Sequence, residues 1–319
     1  DLYVALSDAQ FAEEVIAQMK EKIVKVADGH AALDKSWIGD HDIANISNAI
    51  PRFDTKKGVL NDIHDSGNGN YLLTYLNVSS INEPTNYEYT LIDAGYALVQ
   101  ANDIGNNRFV TYVKGDTMIH CNYFAASMEY RIVYGPKTYL GDMQPVTGYE
   151  NKVTPSVSMV ELAGTGLSMV VQLADGSFVF IDGGYGQSTT GTQKTEDMQR
   201  LLNFLTSNTP GGGKPQITWM ITHCDPDHIG LPTEFMDKYA DKIDVNTVCY
   251  NFPNMTNIGM SDSQNPDSFN GYIQAFIGTV NKNFPNANHY VTHTGNKLYL
   301  PGCEIEFLFN PSEDFYPVG

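Results

Sequence analysis

Residues 217–230 read ITWMITHCDPDHIG. Apolar and β-favouring residues run straight into His223, Asp225, Asp227 and His228, and a glycine follows soon after. A buried strand that ends this way leaves its polar residues in the turn at the carboxyl edge of a sheet, where open α/β sheets collect ligands. His223 and Asp225, two residues apart, point the same way if the extended conformation persists. Pro226 fixes its own φ and disfavours a helical Asp225, so Asp227 and His228 follow on a turning backbone and come round from the other side. Imidazole nitrogen and carboxylate oxygen suit zinc, manganese or iron. Carboxylates this close resist joint ionisation without a cation or a buried proton. The plainer reading of the same string is a polar loop capping the next helix, its histidines hydrogen-bonded and nothing bound.

The surroundings of this strand alternate strands with helices. SMVELAG (158–164) and LSMVVQLADGSFVFIDGG (167–184) predict a strand and then a hairpin turning at Asp175-Gly176. Met198, Leu201, Leu202 and Leu205 mark a helix ended by TPGGGKP (209–215). Pro232 is expected to open a short helix carrying Phe235, Met236 and Tyr239. VNTVCYNF (245–252) reads as a strand, Asn265-Pro266 opens a helix with Phe269, Ile273, Phe276 and Val280 on one face, and two or three strands follow. This is an α/β layered unit with a mixed sheet. The glycines of IDGGYG lack the GxGxxG spacing, and nothing matches a P-loop.

The first 150 residues have another character. Phe11, Val15, Ile16, Met19 and Ile23 make one apolar stripe behind a capping box at Ser7 and Gln10, which predicts an amphipathic helix over 8–26. Loops rich in Asp, Gly and Asn dominate 28–70. Between 70 and 135 the runs YLLTYLNV, YEYTLID, YALVQ, RFVTYV, TMIHCNYF and MEYRIVY predict a mostly antiparallel sheet. The tyrosines of this region are expected to pack that sheet, a ligand-facing platform being the alternative. Pro136, Gly141, Pro145, Gly148 and Pro155 mark a linker. The expected organisation is a helix plus a small β-rich α+β accessory domain over 1–150 and a second domain over 151–319.

The 319 residues hold 19 Lys and Arg against 37 Asp and Glu, a formal net charge of −18. Such a balance repels nucleic acid and anionic membranes, and a small-molecule substrate is the expected partner. No apolar run reaches 18 residues, so no transmembrane segment is expected. No signal peptide is visible, and a start at Asp1 fits a processed chain and a trimmed one equally. Abundant Asn, Thr, Tyr and Gly with few basic residues points to an exported bacterial protein. Cys121, Cys224, Cys249 and Cys303 form neither a disulfide framework nor a zinc-knuckle spacing. A Cys224–Cys249 bridge stays open, with free buried thiols the plainer reading.

THCDPDHIG (222–230) resembles the THxHxDHxG signature of the metallo-β-lactamase fold, and FVFIDGG (178–184) resembles that fold's strand ending in an aspartate and glycines. The resemblance covers about 155–319 and is closest to the branch found in DNA-uptake channel proteins and standalone hydrolases. It implies a metal-dependent hydrolase with two cations, most expectedly zinc, with manganese or iron as alternatives. His223 is implied as a ligand of one metal, and Asp227 with His228 of the other. Asp227 would also orient the attacking water, and Asp182 would order the site through hydrogen bonds. Asp225 stands where the family has its second histidine; a carboxylate there still ligates, but adds negative charge and weakens polarisation of bound water. The family's later ligands have no counterpart here: His289 and His293 match none of those positions, and the chain is expected to be the first part of such a domain.

Outside this region, His30, His41 and His64 read as surface or helix-cap residues and His120 as a structural strand histidine. Cys224 should turn away from His223, with no base to activate it. Two rival functions remain: a non-catalytic binding or surface protein with a degenerate form of the fold, and a di-iron oxidoreductase, for which no flavin partner is visible.

Overall fold

The computed structural model describes residues 50–67, 70–138, 144–185, 191–252 and 266–310. The expected helix at 8–26, and His30 and His41, lie outside the described residues. Within them the architecture is mixed α/β, with three sheets and four helices.

The first sheet is antiparallel throughout. It comprises β1 (Val59–Gly67), β2 (Asn70–Leu76), β3 (Ala97–Ile104), β4 (Asn107–Lys114), β5 (Thr117–Phe124) and β6 (Glu129–Pro136), in the order β1-β2-β6-β5-β4-β3. Tyrosines 75, 87, 96, 112, 123 and 130 are buried in its core. Two expectations fail in this part. The segment 87–93 is not a strand but lies in helix α1 (Asn82–Asp93). Tyr87 and Leu91, one turn apart, bury together, and Glu88 beside them receives Arg108 at 2.6 and 2.9 Å and the Tyr112 hydroxyl at 3.0 Å. Tertiary contacts thus override the β preference of Tyr and Thr. Strand β1 forms where loops were expected; its ladder slips between Leu60 and Asp62, which erases the alternation a strand normally writes into its sequence.

The second sheet runs β12-β11-β10-β9-β8-β7. Strands β9 (Phe178–Asp182), β10 (Gln216–Met220), β11 (Asp244–Tyr250) and β12 (Asn288–Val291) are parallel, while β8 (Ser168–Gln172) and β7 (Ser156–Met159) add antiparallel. Helices α2 (Gly191–Asn208), α3 (Pro226–Lys238) and α4 (Pro266–Asn283) contribute to a core on one face, with Phe180, Trp219, Leu201, Leu205, Phe235 and Phe276. On the other face, Val179, Met220 and Cys249 meet a hairpin of β13 (Lys297–Leu300) and β14 (Cys303–Glu306). The alternation of Trp219 and Met220 is that of a strand buried on both sides.

Helix α3 begins six residues before the expected start. Pro226 occupies its first turn, where a missing N–H costs nothing, and Asp225 precedes it at φ −66°, ψ 144°. Pro232 sits inside the helix, packed where a side chain on Gly183 would otherwise go. Asp227 and His228 are therefore held on a helical turn.

The two large sheets meet through a buried polar seam. Residues 292–296 (THTGN) are all buried. Gln100 bonds both backbone groups of Lys297, at 2.7 and 2.9 Å, and Asn102 donates to the Gly295 carbonyl at 2.9 Å. His120 lies 2.8 Å from the Thr294 carbonyl and from Thr111 Oγ1, and its ring stacks on His293 at 4.9 Å. The predicted strand histidine is thus a seam residue.

Candidate metal centre

Strands β9 and β10 end side by side, and their ends carry the site. Asp182, the last residue of β9, is fully buried and adopts φ +57°, a left-handed conformation that Asp tolerates better than most residues. Gly183 and Gly184 follow because neither position has room for a side chain: a Cβ would meet Pro232 of α3 at the first and Leu162 at the second. Leu231 N–H donates to the Gly184 carbonyl at 2.9 Å, pinning α3 to this turn. Trp219 contributes from β10 by donating its indole N–H to the Asp182 carbonyl at 2.9 Å.

The Asp182 carboxylate then organises both histidines. It accepts the Thr222 N–H and the Thr222 hydroxyl, each at 2.8 Å, and lies 2.8 Å from His228 Nδ1. An ionised carboxylate only accepts, so His228 carries its proton on Nδ1. The Thr222 hydroxyl spends its hydrogen on Asp182 and therefore accepts from His223 Nδ1, 2.9 Å away. Both imidazoles donate from Nδ1, so Nε2 is the ring atom each can offer to a cation in place of a proton. Donation of the other ring N–H to a carboxylate is the usual support of a metal-ligating histidine.

Those Nε2 atoms face carboxylates. His223 Nε2 is 3.6 Å from Asp225 Oδ2, and His228 Nε2 is 3.7 Å from Asp227 Oδ2. A tetrahedral zinc with bonds of 2.0–2.2 Å spaces two ligand atoms about 3.3–3.6 Å apart, so each pair has close to the bite of one cation. The rings themselves lie 3.8 Å apart between centroids. Side-chain exposure grades from 0% at Asp182 and 18% at His228 to 36–38% at Asp227 and His223 and 51% at Asp225, so the pairs open to solvent while their anchor is dry. Among the described residues no group of three or more His, Cys, Asp or Glu side chains is placed to hold a metal ion, so each candidate site is a pair.

The pKa of His228 is raised, chiefly by its hydrogen bond to Asp182 against an opposing effect of burial, with Asp182, Asp227 and Asp225 adding attraction. Cys224 turns away, buried against the α4 side, and its thiol is pushed up to about 11 by desolvation. That leaves it protonated and unreactive at neutral pH. All four cysteines are free, so the Cys224–Cys249 bridge does not form. His289 bonds the Tyr250 hydroxyl at 3.0 Å, and burial lowers its pKa.

Three contributors were missed in the sequence. Thr222 relays Asp182 to His223, and only its place directly before the histidine hinted at this. Gly166, at φ +124°, lies against Gly184 and the Asp227 carbonyl, where no side chain fits. Asp197 occupies the buried stripe of α2 one turn before Leu201 and two before Leu205. A carboxylate on an apolar stripe is a legible sign of a buried polar partner.

Comparison with protein-family models, with curated proteins and with solved structures gives no match to this chain. The described residues contain no helix long and apolar enough to cross a membrane.

Proposed function

We propose that this chain is a metal-dependent hydrolase of the metallo-β-lactamase type, acting on a small-molecule substrate at the carboxyl edge of the second sheet. One observation carries the reading. The Asp182–Thr222 relay engages Nδ1 of His223 and of His228 and turns each Nε2 towards a carboxylate, at 3.6 and 3.7 Å. His223 with Asp225 would hold one divalent cation and Asp227 with His228 a second, zinc first, with manganese or iron also suited to this nitrogen and oxygen set.

A bound divalent cation supplies a water of lowered pKa and a positive charge to meet oxygen charge as it develops. The chain's own residues do the rest. Asp182 keeps the imidazoles in their ligating tautomer. Asp227, a third exposed, can both ligate and accept a hydrogen bond from the attacking water, orienting it. Phosphodiesters, thioesters, lactones and β-lactams all suit this chemistry. A second reading, a non-catalytic binding protein, draws on Asp225: as an exposed carboxylate in place of a neutral ligand, it dampens polarisation of water at its cation.

The test is hydrolysis of chromogenic members of those four substrate classes by the 319-residue chain reconstituted with zinc or manganese. Turnover of one class that chelator abolishes and Asp227→Asn reduces about 100-fold or more supports the hydrolase. Metal binding without turnover in any class favours the second reading.

A further inference from the structure

Helix α2 buries a charge among hydrophobic side chains. Asp197 is 2% exposed, on the same stripe as Leu201 and Leu205, and an isolated carboxylate there would be strongly disfavoured without donors. It receives two backbone donors from the loop joining β7 to β8: Ala163 N–H at 2.6 Å and Gly164 N–H at 3.1 Å. Charge-assisted bonds to a buried carboxylate are among the stronger ones a loop can make. The base of the loop is closed by Val160 N–H on the Ser168 carbonyl at 3.0 Å, and Leu162 packs into the helical core.

The far side of this loop leans on the metal centre. Tyr185 N–H donates to the Thr165 carbonyl at 3.0 Å, which ties the loop to the turn following Asp182. Gly166 sits so close to Gly184 and to the Asp227 backbone carbonyl that a Cβ there would collide with both. One short loop therefore touches both segments of the site, the β9 end that carries Asp182 and the first turn of α3 that carries Asp227 and His228. Asp197 holds the middle of that loop through the Ala163 and Gly164 amides.

We infer that Asp197 is a positioning residue for the cation site, acting through residues 160–167 as a strut that sets the separation of the Asp182 turn from the Asp227–His228 turn. The inference rests on the cation reading given above. Ligand pairs with a bite of 3.6–3.7 Å are sensitive to displacements well below 1 Å, so a strut in contact with the Asp227 backbone bears on affinity as well as on folding.

The test uses Asp197→Asn in the 319-residue chain. Asn keeps one acceptor, but its amide meets the second backbone N–H donor to donor, so the clamp opens with little change in volume. Cobalt(II) binding is followed by its visible absorption at a temperature where circular dichroism shows the variant folded, beside hydrogen exchange of the Ala163 and Gly164 amides. The expected result is faster exchange at those amides, a cobalt affinity lower by about 10- to 100-fold, and altered band intensities reporting a changed coordination geometry. Faster exchange with unchanged cobalt affinity and spectrum overturns the inference, since the clamp would then serve the fold alone. Failure of the unaltered chain to bind cobalt overturns the cation reading and this inference with it. If Asp197→Asn does not fold, Asp197→Glu, which keeps the carboxylate and displaces the loop by a methylene, is expected to lower cobalt affinity about 10-fold, and unchanged affinity in a folded Asp197→Glu overturns the inference.

Discussion

Asp182 concentrates the chemistry of the site in one side chain. It is dry, it holds a left-handed backbone, and it accepts from Thr222 twice and from His228 once. Asn tolerates the same backbone, so Asp182→Asn isolates the carboxylate. Its amide would turn a donor towards the Thr222 and His228 donors, and the expected cost is about 1–3 kcal/mol in chemical denaturation with a loss of about 10- to 100-fold in zinc affinity by titration calorimetry. His228 adds a pH signature. Its folded-state pKa is raised, so in cation-free protein its stabilising contribution is complete below the usual imidazole value of about 6.5 and is lost as pH rises through the folded value. A cation competes with the proton on Nε2, so affinity should climb over that same window. Unfolding midpoints of the wild-type chain minus those of His228→Ala, taken from about pH 5 to 9, should fall with chelator present and rise with zinc present. The ligand candidates were legible because they are adjacent in sequence. Thr222, Gly166 and Asp197 act through contacts between residues 18 to 61 positions apart, which no local pattern records.

At the scale of elements, β10 does most to place the site. Trp219 is fully buried between Phe180 and Phe235, with ring centroids at 4.7 and 5.7 Å, and its indole N–H reaches the Asp182 carbonyl. Trp219→Ala is expected to cost about 3–5 kcal/mol through the cavity it leaves. Trp219→Phe keeps most of the apolar volume but orphans that carbonyl, for about 1 kcal/mol, and weakens metal binding more than its stability loss accounts for. Denaturant titration beside zinc calorimetry on both variants separates the two effects. Strong periodicity made β8 to β12, α2 and α4 readable. Helix α1 was not, because its Tyr and Thr favour strands and only the pairing of Glu88 with Arg108 and Tyr112 across space decides otherwise. The start of α3 was misplaced because Pro232 looked like a first-turn proline, whereas Pro226 holds that position and Pro232 packs over Gly183.

For the molecule as a whole, the seam between the sheets matters more than the sequence implied. The side-chain amides of Gln100 and Asn102, the Thr111 hydroxyl and the His120 imidazole are all buried against residues 293–297, contacts that no local pattern in their strands records. Gly295, at φ +83°, lies where a Cβ would enter the Phe109 ring. Gly295→Ala should therefore part the two sheets locally, lowering stability by about 2–4 kcal/mol and splitting a single unfolding transition into two by calorimetry. The chain carries a net charge of −18, with Asp182, Asp225 and Asp227 gathered beside two imidazoles, an electrostatic setting that favours cation capture.

The most direct measurement is the divalent metal content, by elemental analysis, of the 319-residue chain purified without chelator from zinc-supplemented growth. The account predicts about two equivalents per chain, falling to about one in His223→Ala while the Asp227–His228 pair stays loaded. Metal at background level in the unaltered chain, or a content indifferent to loss of His223 and of His228, would contradict it.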